Sequence, residues 1–335
     1  MSRPPRPIAM LGQDRPVGAS VLAGGWCWFD RIAGSAPVSP DVLAQLTAPR
    51  APILGLSMDR PRIMGILNLT PDSFSDGGQL ATVGDAVARA QTMQGAAEIL
   101  DIGGESTRPG ADLVSVSAEI SRVVPVIAAI RDAGITTPIS VDTRKAAVAR
   151  AALAAGADMI NDVSALRYDA DMVHVVAGAG VPICLMHAQG DPATMQKNPG
   201  YDDVLLEVFE FLQERTGFAM ASGIAADKII IDPGIGFGKT LQHNVTLLRG
   251  LAALHGLGRP ILLGASRKRF IGEIGGEIGG ARDPADRMPG SLAVALHGVA
   301  QGVQILRVHD TDETRQALSL LQAIQAIAGV GTDDT

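Results

Sequence analysis

The sequence predicts an α/β protein, a closed (β/α)8 barrel of the TIM type preceded by an N-terminal extension. Three observations carry this prediction: eight short apolar runs lie between residues 63 and 307, helical patterns separate them, and polar residues follow each run. Alternating strands and helices form parallel sheets, and eight such units close a barrel. A barrel needs about 250 residues, so the 335 residues of the chain leave room for a smaller segment.

Each apolar run has the length of a buried strand and is bounded by polar or turn-forming residues. The eight runs are 63–67, 98–101, 138–142, 158–162, 182–187, 228–232, 260–264 and 303–307. The chain has neither a fixed repeat period nor a glycine fingerprint after its first run. Both rival architectures, a repeat array and an open doubly wound sheet, are therefore disfavoured.

The segments between the runs carry apolar residues at spacings of three and four, as Val204, Val208 and Phe211 do. One face of each predicted helix can therefore pack on the strands. The predicted helices are 83–94, 117–132, 145–155, 170–177, 201–221, 244–254, 291–301 and 312–327.

Residues 1–62 differ in composition from the rest and are predicted to form a separate element. They hold nine of the 20 prolines and both tryptophans. Two β-leaning runs, 8–11 and 20–29, suggest hairpins followed by a Pro-rich connection. We therefore divide the chain into an extension over 1–62, which caps the barrel or adds a sheet, and a barrel domain over 63–330.

Composition and charge exclude several classes of protein. With 47% hydrophobic and 19% charged residues the chain is globular rather than disordered. A net charge of −7 without a Lys/Arg stripe argues against a nucleic-acid partner. No apolar run is long enough for a membrane span or a signal peptide, so we expect a cytoplasmic protein. The two cysteines, Cys27 and Cys184, are expected to be buried apolar residues.

Polar residues follow all eight runs, and this regularity predicts an active site. They are Asn68, Asp101, Asp142, Asn161 with Asp162, His187, Asp232, Ser266 to Lys268, and Arg307 with His309. A single Asp or Asn at such a position can simply cap the next helix. In a barrel, however, the loops after the strands converge at one end, where active sites lie.

The segment 232–240 ends in Gly-Lys-Thr, as a phosphate-binding P-loop does. A P-loop has glycine five positions before Gly238, and that position here is Pro233. A dinucleotide fingerprint read from Gly234 fails at Lys239. The sequence therefore predicts a flexible loop whose backbone can approach a flat ligand.

Two cationic clusters stand at the ends of the last two strands, Arg267 with Lys268 and Arg307 with His309. Late strands of such barrels often hold phosphate, so the clusters predict an anion site. Alternatively, Arg267 and Lys268 start a solvated helix. The polar, turn-rich loops after the first two strands suit mobile lids.

The sequence contains no HExxH, Cys/His cluster or Asp-rich loop, so a metal site made by protein ligands alone is not expected. A Mg²⁺ ion held mainly by substrate phosphates remains open. Nothing indicates acyl-enzyme chemistry. Histidines inside or beside helical patterns are expected to pack or to face solvent; they are His174, His243, His255 and His297.

Seven motifs, in family order, resemble the dihydropteroate synthases, a pterin-binding barrel family. They are MGILNLTPDSFSDGG (64–78), GESTRPG (104–110), SVDT (140–143), IND (160–162), DPGIGFGK (232–239), SRK (266–268) and RVHD (307–310). The resemblance covers about residues 62–327. It implies a transferase of folate biosynthesis, the target of sulfonamides, which condenses (7,8-dihydropterin-6-yl)methyl diphosphate with 4-aminobenzoate to 7,8-dihydropteroate and diphosphate. It also implies a Mg²⁺ cofactor and a homodimer.

The resemblance assigns roles to matching residues. Those for the pterin are Asp142, Asn161, Met186, Asp232, Phe237 and Lys268. Those for the diphosphate are Asn68, which also meets Mg²⁺, Arg108, Arg307 and His309. Those for 4-aminobenzoate are Phe74, Pro109 and Ser266, and those for catalysis are Asp72, Thr107, Arg108 and Lys268. The lids, 70–78 and 107–110, are expected to be mobile without ligand.

Two other functions stay open at this point. A methyltetrahydrofolate-binding barrel that serves a corrinoid partner would keep the pterin carboxylate, but it has no use for the Ser-Thr-Arg-Pro-Gly or Arg-Val-His motifs. A non-catalytic paralogue would be expected to have lost some loop residues, and all are present here. One departure from the family is Ile235, where some members carry a second aromatic residue.

Overall fold

The computed structural model describes residues 3–34, 38–69, 82–106, 113–190, 194–276 and 283–325. Its N-terminal part contains four two-residue strands and one helix: β1 (Arg6–Pro7), β2 (Ser20–Val21), β3 (Trp28–Phe29), β4 (Ile32–Ala33) and α1 (Pro40–Thr47). β2 pairs with β3 and β1 pairs with β4, both antiparallel. The predicted β-leaning runs fall in this region, whereas α1 was not predicted.

All eight strands predicted for the barrel are present. They are β5 (Arg62–Asn68), β6 (Ile99–Gly103), β7 (Ile139–Asp142), β8 (Met159–Asp162), β9 (Ile183–Met186), β10 (Ile229–Asp232), β11 (Leu262–Leu263) and β12 (Ile305–Val308). They form one parallel sheet in the order β10-β9-β8-β7-β6-β5-β12-β11. A parallel bridge between Ile231 and Ile261 joins the two ends of this order, so the sheet closes as predicted.

Helices follow the strands around the sheet. They are α2 (Val83–Met93), α3 (Val116–Asp132), α4 (Ala146–Ala154), α5 (Met172–Ala179), α6 (Val204–Ala221), α7 (Leu241–Gly250), α8 (Arg269–Gly275), α9 (Met288–Ala300) and α10 (Thr311–Ile324). The predicted segment 244–254 runs through α7 into the 3-10 helix Leu251–Leu257. The short helix α8 is not among the predicted helices, although a helix start at Arg267 and Lys268 was the alternative for the first cationic cluster. Among the described residues, no helix has the length and apolar character needed to span a membrane.

The interior of the barrel is apolar at its amino end and polar at its carboxyl end. The buried lower layer consists of Met64, Ile99, Met159, Cys184, Ile230, Leu262 and Ile305, with Ile53 and Met58 packed against them. Because alternate residues of a strand share a face, inward-facing Ile99 puts Asp101 inside the barrel as well, and inward-facing Ile305 puts Arg307 there. The fold therefore gathers charged side chains above an apolar plug.

The N-terminal segment packs beneath the amino end of the barrel. Leu22, Cys27 and Phe29 belong to a small buried cluster of their own. The Trp26 indole N–H donates to the Val299 carbonyl at 2.8 Å, near the end of α9 and therefore before β12 begins. These contacts lie opposite the polar strand ends. The division of the chain into domains at residue 62 stays a prediction.

Candidate active site

A cavity of about 660 Å³ opens at the carboxyl end of the barrel. Its wall brings together predicted residues from five different strand ends or the loops that follow them: Asn68, Asp142, Phe237, Ser266, Lys268, Arg307 and His309. Three further predicted residues are buried at neighbouring strand ends, with exposures of 3–4%: Asn161, Met186 and Asp232. The described residues assigned to the pterin and the diphosphate therefore form one site.

Five predicted residues belong to the two lid segments and lie outside the described residues. They are Asp72, Phe74, Thr107, Arg108 and Pro109. Their roles, and the mobility expected of the lids, stay predictions.

Arg307 is held between two carboxylates in the mouth of the barrel. From β12 it reaches past β5: its Nε donates to Asp101 Oδ2 at 2.6 Å and its Nη2 to Asp142 Oδ2 at 2.8 Å. Asn161 also donates to Asp101 Oδ2, at 3.3 Å. Asp101 was predicted only as a strand end without a role; it lies inside β6, which continues to Gly103, and is fully buried. Its alternation with Ile99 was the signal that could have placed it in the site.

Burial and crowding of carboxylates govern the charges here. Burial raises the pKa of Asp142 to about 7, against the opposing effect of Arg307, while Asp101 and Glu119 raise it further. Burial by itself would lower the pKa of Arg307, but Asp101 and Asp142 raise it above its usual range. The guanidinium thus stays charged. Asp101 Oδ1 and Asp142 Oδ1 are buried without a hydrogen-bond partner among the described residues.

Asp232 fixes the start of the glycine-rich loop, because its Oδ1 accepts from the Gly234 N–H at 2.7 Å. Such a contact would also suit a purely structural role, in which Asp232 only holds the backbone of this loop. Its second oxygen, Oδ2, lies 3.7 Å from the point where a Cβ on Gly264 would stand, and Gly264 is on the cavity wall. Burial raises the Asp232 pKa, while Lys268 opposes the shift. One carboxylate therefore serves both the loop and the cavity.

Lys268 lies against the same loop from the cavity side. It is the N-cap residue of α8, its Nζ donates to the Ile235 carbonyl, and Nζ lies 4.5 Å from the centre of the Phe237 ring. Burial lowers the Lys268 pKa to about 8, although Asp232 opposes this. Lys268 thus stands at a helix start, as the alternative expected, but it is buried against the cavity rather than solvated.

Arg267, from the first cationic cluster, and His309, from the second, both line the cavity but have different partners. Arg267 forms an ion pair with Asp310, with 3.1 Å between its Nε and Oδ2. His309 lies on the cavity wall, where its Nδ1 is 3.0 Å from the Ser266 hydroxyl. Ser266 and His309, assigned by resemblance to two different substrates, are therefore in contact with each other.

The loop over 233–240 is tied down by side chains, which corrects the prediction of a flexible loop. The Tyr201 hydroxyl donates to the Gly238 carbonyl at 2.8 Å, and Asn244 Oδ1 accepts from the Gly236 N–H at 2.7 Å. Lys239, buried beneath the loop, donates to two of its carbonyls. The sequence did not show these contacts, because it does not tell that Lys239 and Asn244 fold back onto the loop or that Tyr201 reaches it from 37 positions away.

A buried charge network beside the second lid was also missed. Lys145 Nζ lies 3.0 Å from Glu105 Oε1, 2.6 Å from Glu119 Oε2 and 2.8 Å from the Val114 carbonyl. Glu105 Oε1 in turn accepts from the Val114 N–H at 3.1 Å. Because Glu105 and Val114 flank the segment 107–112, the network fixes the two points where that segment meets the barrel.

Asn68 is the one predicted metal ligand. Its side chain lines the cavity, with Oδ1 3.4 Å from the point where a Cβ on Gly103 would stand. Within the described ranges, no three His, Cys, Asp or Glu side chains group as metal ligands. One amide oxygen fits a Mg²⁺ ion that takes most of its ligands from phosphates and water.

Comparisons with known proteins agree with this geometry. Residues 64–309 match the model of the pterin binding enzyme family. The dihydropteroate synthase of Neisseria meningitidis serogroup B is 50% identical over 275 residues, which are 80% of this chain and 94% of the relative.

Solved structures of Xanthomonas albilineans dihydropteroate synthase are also similar to this chain. One, with 4-aminobenzoic acid, is 49% identical with a TM-score of 0.75 and covers 83% of this chain and 99% of its own. Another, in complex with 7,8-dihydropteroate, is 46% identical with a TM-score of 0.72 and covers 83% of this chain and 100% of its own. The family match includes every predicted residue of the cavity wall, from Asn68 to His309, and the chain belongs to the pterin-binding enzyme family, in its dihydropteroate synthase branch.

Proposed function

We propose that this cavity joins (7,8-dihydropterin-6-yl)methyl diphosphate to 4-aminobenzoate, which gives 7,8-dihydropteroate and diphosphate. One observation carries the proposal: Arg307 and His309 line the same cavity as the buried carboxylate of Asp142. The cavity thus has a carboxylate on one side and cationic side chains on another, which matches a ligand with N–H donors at one end and a diphosphate at the other. The Xanthomonas structures that hold 4-aminobenzoic acid and 7,8-dihydropteroate support it.

The acidic depth of the cavity suits the pterin. The aminopyrimidinone edge of a pterin presents adjacent N–H donors, which a carboxylate meets with two parallel hydrogen bonds. Asp142 and Asp232 are the carboxylates proposed for this contact, with Asn161 beside them. Their raised pKa values reflect the cost of holding buried charge, and ligand N–H donors offset that cost.

The cationic rim suits the diphosphate. Arg307 keeps its charge because two carboxylates flank it, and His309 stands beside Ser266 at the next strand end. Asn68 would hold Mg²⁺ together with the oxygens of the substrate, and a bound Mg²⁺ supplies charge that neutralises the departing diphosphate. Arg307 and His309 bind and orient the same group from the barrel side.

The reaction breaks the C–O bond between the exocyclic methylene and the diphosphate and forms a C–N bond to the amine of 4-aminobenzoate. The electron pair of the C–O bond leaves with diphosphate, and the amine releases one proton to diphosphate or solvent. The dihydropterin ring can stabilise positive charge at the methylene as the bond breaks, so water must be kept away. Phe237, packed under the Lys268 ammonium, gives this pocket an apolar side.

The finer assignments remain part of this proposal. They include the roles of the lid residues and of Ser266 with 4-aminobenzoate, a homodimeric state and a cytoplasmic location.

Product detection tests the proposal. The protein is incubated with dihydropterin diphosphate, 4-aminobenzoate and Mg²⁺, and the mixture is analysed by mass spectrometry. We expect dihydropteroate and pyrophosphate in equal amounts, and neither in a matched Arg307→Ala reaction over the same time. Binding of pterin without product in the wild type would instead indicate the non-catalytic paralogue.

A further inference from the structure

Lys239 is a buried lysine to which the reaction assigns no role; burial lowers its pKa well below the usual range, and Asp232 opposes this shift. Its side chain is 3% exposed. Its Nζ lies 2.9 Å from His187 Nδ1, 2.9 Å from the Gly234 carbonyl, 3.1 Å from the Phe237 carbonyl and 3.3 Å from the His187 carbonyl. Four acceptors therefore surround a group with three N–H donors, and all four belong to the protein.

His187 is an acceptor in this cluster, and its surroundings keep it neutral. Burial, with the nearby Lys239 charge, lowers the His187 pKa to about 2. The imidazole packs edge-on against Phe211, with ring centres 4.8 Å apart, so it is held from its other side. Lys239 thus links the loop over 234–237 to a rigid point directly after β9.

The same loop is held on its cavity side by two residues assigned to the ligand. Asp232 accepts from the Gly234 N–H, and Lys268 donates to the Ile235 carbonyl. A pterin that engages Asp232 and Lys268 competes for these two hydrogen bonds. The bonds of Lys239 go to backbone carbonyls and to His187, none of which is assigned to the ligand in the proposed function.

We propose that Lys239 is a positioning residue for the pterin pocket. It holds the segment 234–237, and with it the Phe237 ring, in place while the substrate occupies Asp232 and Lys268. The inference rests on the proposed function and deepens it, because it names the group that keeps the pocket wall intact in the bound state.

The test uses Lys239→Met in the full-length protein, since methionine keeps most of the aliphatic volume and removes the ammonium. Lys197→Met is the control, because Lys197 is exposed on a nearby loop. We expect KM for dihydropterin diphosphate to rise about 10- to 100-fold, since three loop and strand-end carbonyls lose their donor. The kcat and the KM for 4-aminobenzoate should change less than about 3-fold. The control should match the wild type.

Calorimetric titration with dihydropterin diphosphate, without 4-aminobenzoate, gives the same comparison independently of turnover. A wild type that binds but forms no product would contradict the proposed function, while the variants' Kd values would still test Lys239. Wild-type KM and Kd in a folded Lys239→Met would overturn the inference. A lower melting temperature with unchanged KM would also overturn it, because it would show a structural role alone.

A second variant covers the case in which Lys239→Met does not fold. Tyr201→Phe removes only the hydroxyl that donates to the Gly238 carbonyl at 2.8 Å, so the same loop is loosened at its other end. We expect KM for dihydropterin diphosphate to rise about 3- to 10-fold with kcat unchanged. Unchanged KM in Tyr201→Phe would count against the positioning of the pterin by this loop.

Discussion

Arg307 and Asp101 form an ion pair in the mouth of the barrel, with 2.6 Å between Arg307 Nε and Asp101 Oδ2, although 206 positions separate them in sequence. Asp101 is fully buried, whereas the Arg307 side chain is 19% exposed. Arg307 also pairs with Asp142, so one cation is shared by two carboxylates. Burial raises the pKa of Asp142 to about 7, and Arg307, which is shared with Asp101, only partly opposes this rise.

Pterin binding is expected to depend on pH with a maximum between the pKa values of Asp142, about 7, and Lys268, about 8. Below pH 7 Asp142 gains a proton, which the ligand N–H donors must displace, so affinity falls about tenfold per pH unit at the acid limit. Above pH 8 the Lys268 ammonium loses a proton and becomes a neutral amine, so the affinity for the pterin substrate falls again. Calorimetric titration with dihydropterin diphosphate from pH 5.5 to 9.5 checks this expectation. An affinity that does not change with pH below 7 would contradict the Asp142 contact.

Asp101→Asn should move the acid limb of the affinity profile, the fall in pterin affinity below pH 7, to lower pH. Asp101 raises the Asp142 pKa. When asparagine replaces Asp101, Asp142 becomes the only carboxylate paired with Arg307, so Asp142 loses its proton at a lower pH. Affinity on the plateau should drop about 3- to 30-fold because Arg307 loses one of the two groups that orient it. The same titration series measures both effects. An acid limb that stays in place or moves to higher pH would show that Asp101 does not govern the Asp142 charge.

Substitutions of Asp232 separate its two roles. In Asp232→Asn the amide oxygen can still accept from the Gly234 N–H, whereas the amide nitrogen presents a donor to the pterin donors. In Asp232→Ala both contacts are lost. We expect either variant to weaken pterin binding by roughly 2 to 4 kcal/mol, about 30- to 1000-fold, with only the Ala variant loosening the loop.

Hydrogen exchange of the amides over 234–238 reports on the loop and calorimetry reports on the ligand, with circular dichroism to show that both variants are folded. Near wild-type affinity in a folded Asp232→Ala would overturn the proposed pterin contact. Unfolding of Asp232→Ala together with normal binding by Asp232→Asn would assign Asp232 to the loop alone.

Gly234→Ala should abolish the pterin pocket. Gly234 has φ +65°, and a Cβ there would lie 1.8 Å from the His187 carbonyl oxygen. The loop must therefore move away from β9, with a loss of pterin affinity of at least about 30-fold expected from the displaced contacts.

Gly180→Ala is the matched control, because Gly180 has φ +64° at the end of α5 and open space around it. It should cost about 1 kcal/mol of stability and leave affinity unchanged. Thermal melting and titration of both variants separate strain from steric overlap. Wild-type affinity in Gly234→Ala would show that the loop can yield without effect on the pocket.

The barrel could be predicted because each of its strands is a short buried run with a polar end, as in Ile229–Asp232. Helix α8 was considered only as an alternative helix start at Arg267 and Lys268, because its seven residues include two glycines and make a short helix. Residues with roles by resemblance, such as Asn68 and His309, did come together at the cavity. The pairing of Arg307 with Asp101 and of Lys239 with His187 was not predictable, since it depends on closure of the barrel and on the path of a loop.

The most direct test of this account follows the nitrogen atom of 4-aminobenzoate into the product. Wild-type protein is incubated with dihydropterin diphosphate, Mg²⁺ and 4-aminobenzoate that carries ¹⁵N in its amine, and the products are resolved by mass spectrometry. The account predicts dihydropteroate that is heavier by one mass unit than the product of unlabelled 4-aminobenzoate. Diphosphate release with only hydroxymethyl-dihydropterin as the pterin product, or no turnover of either substrate, would contradict it.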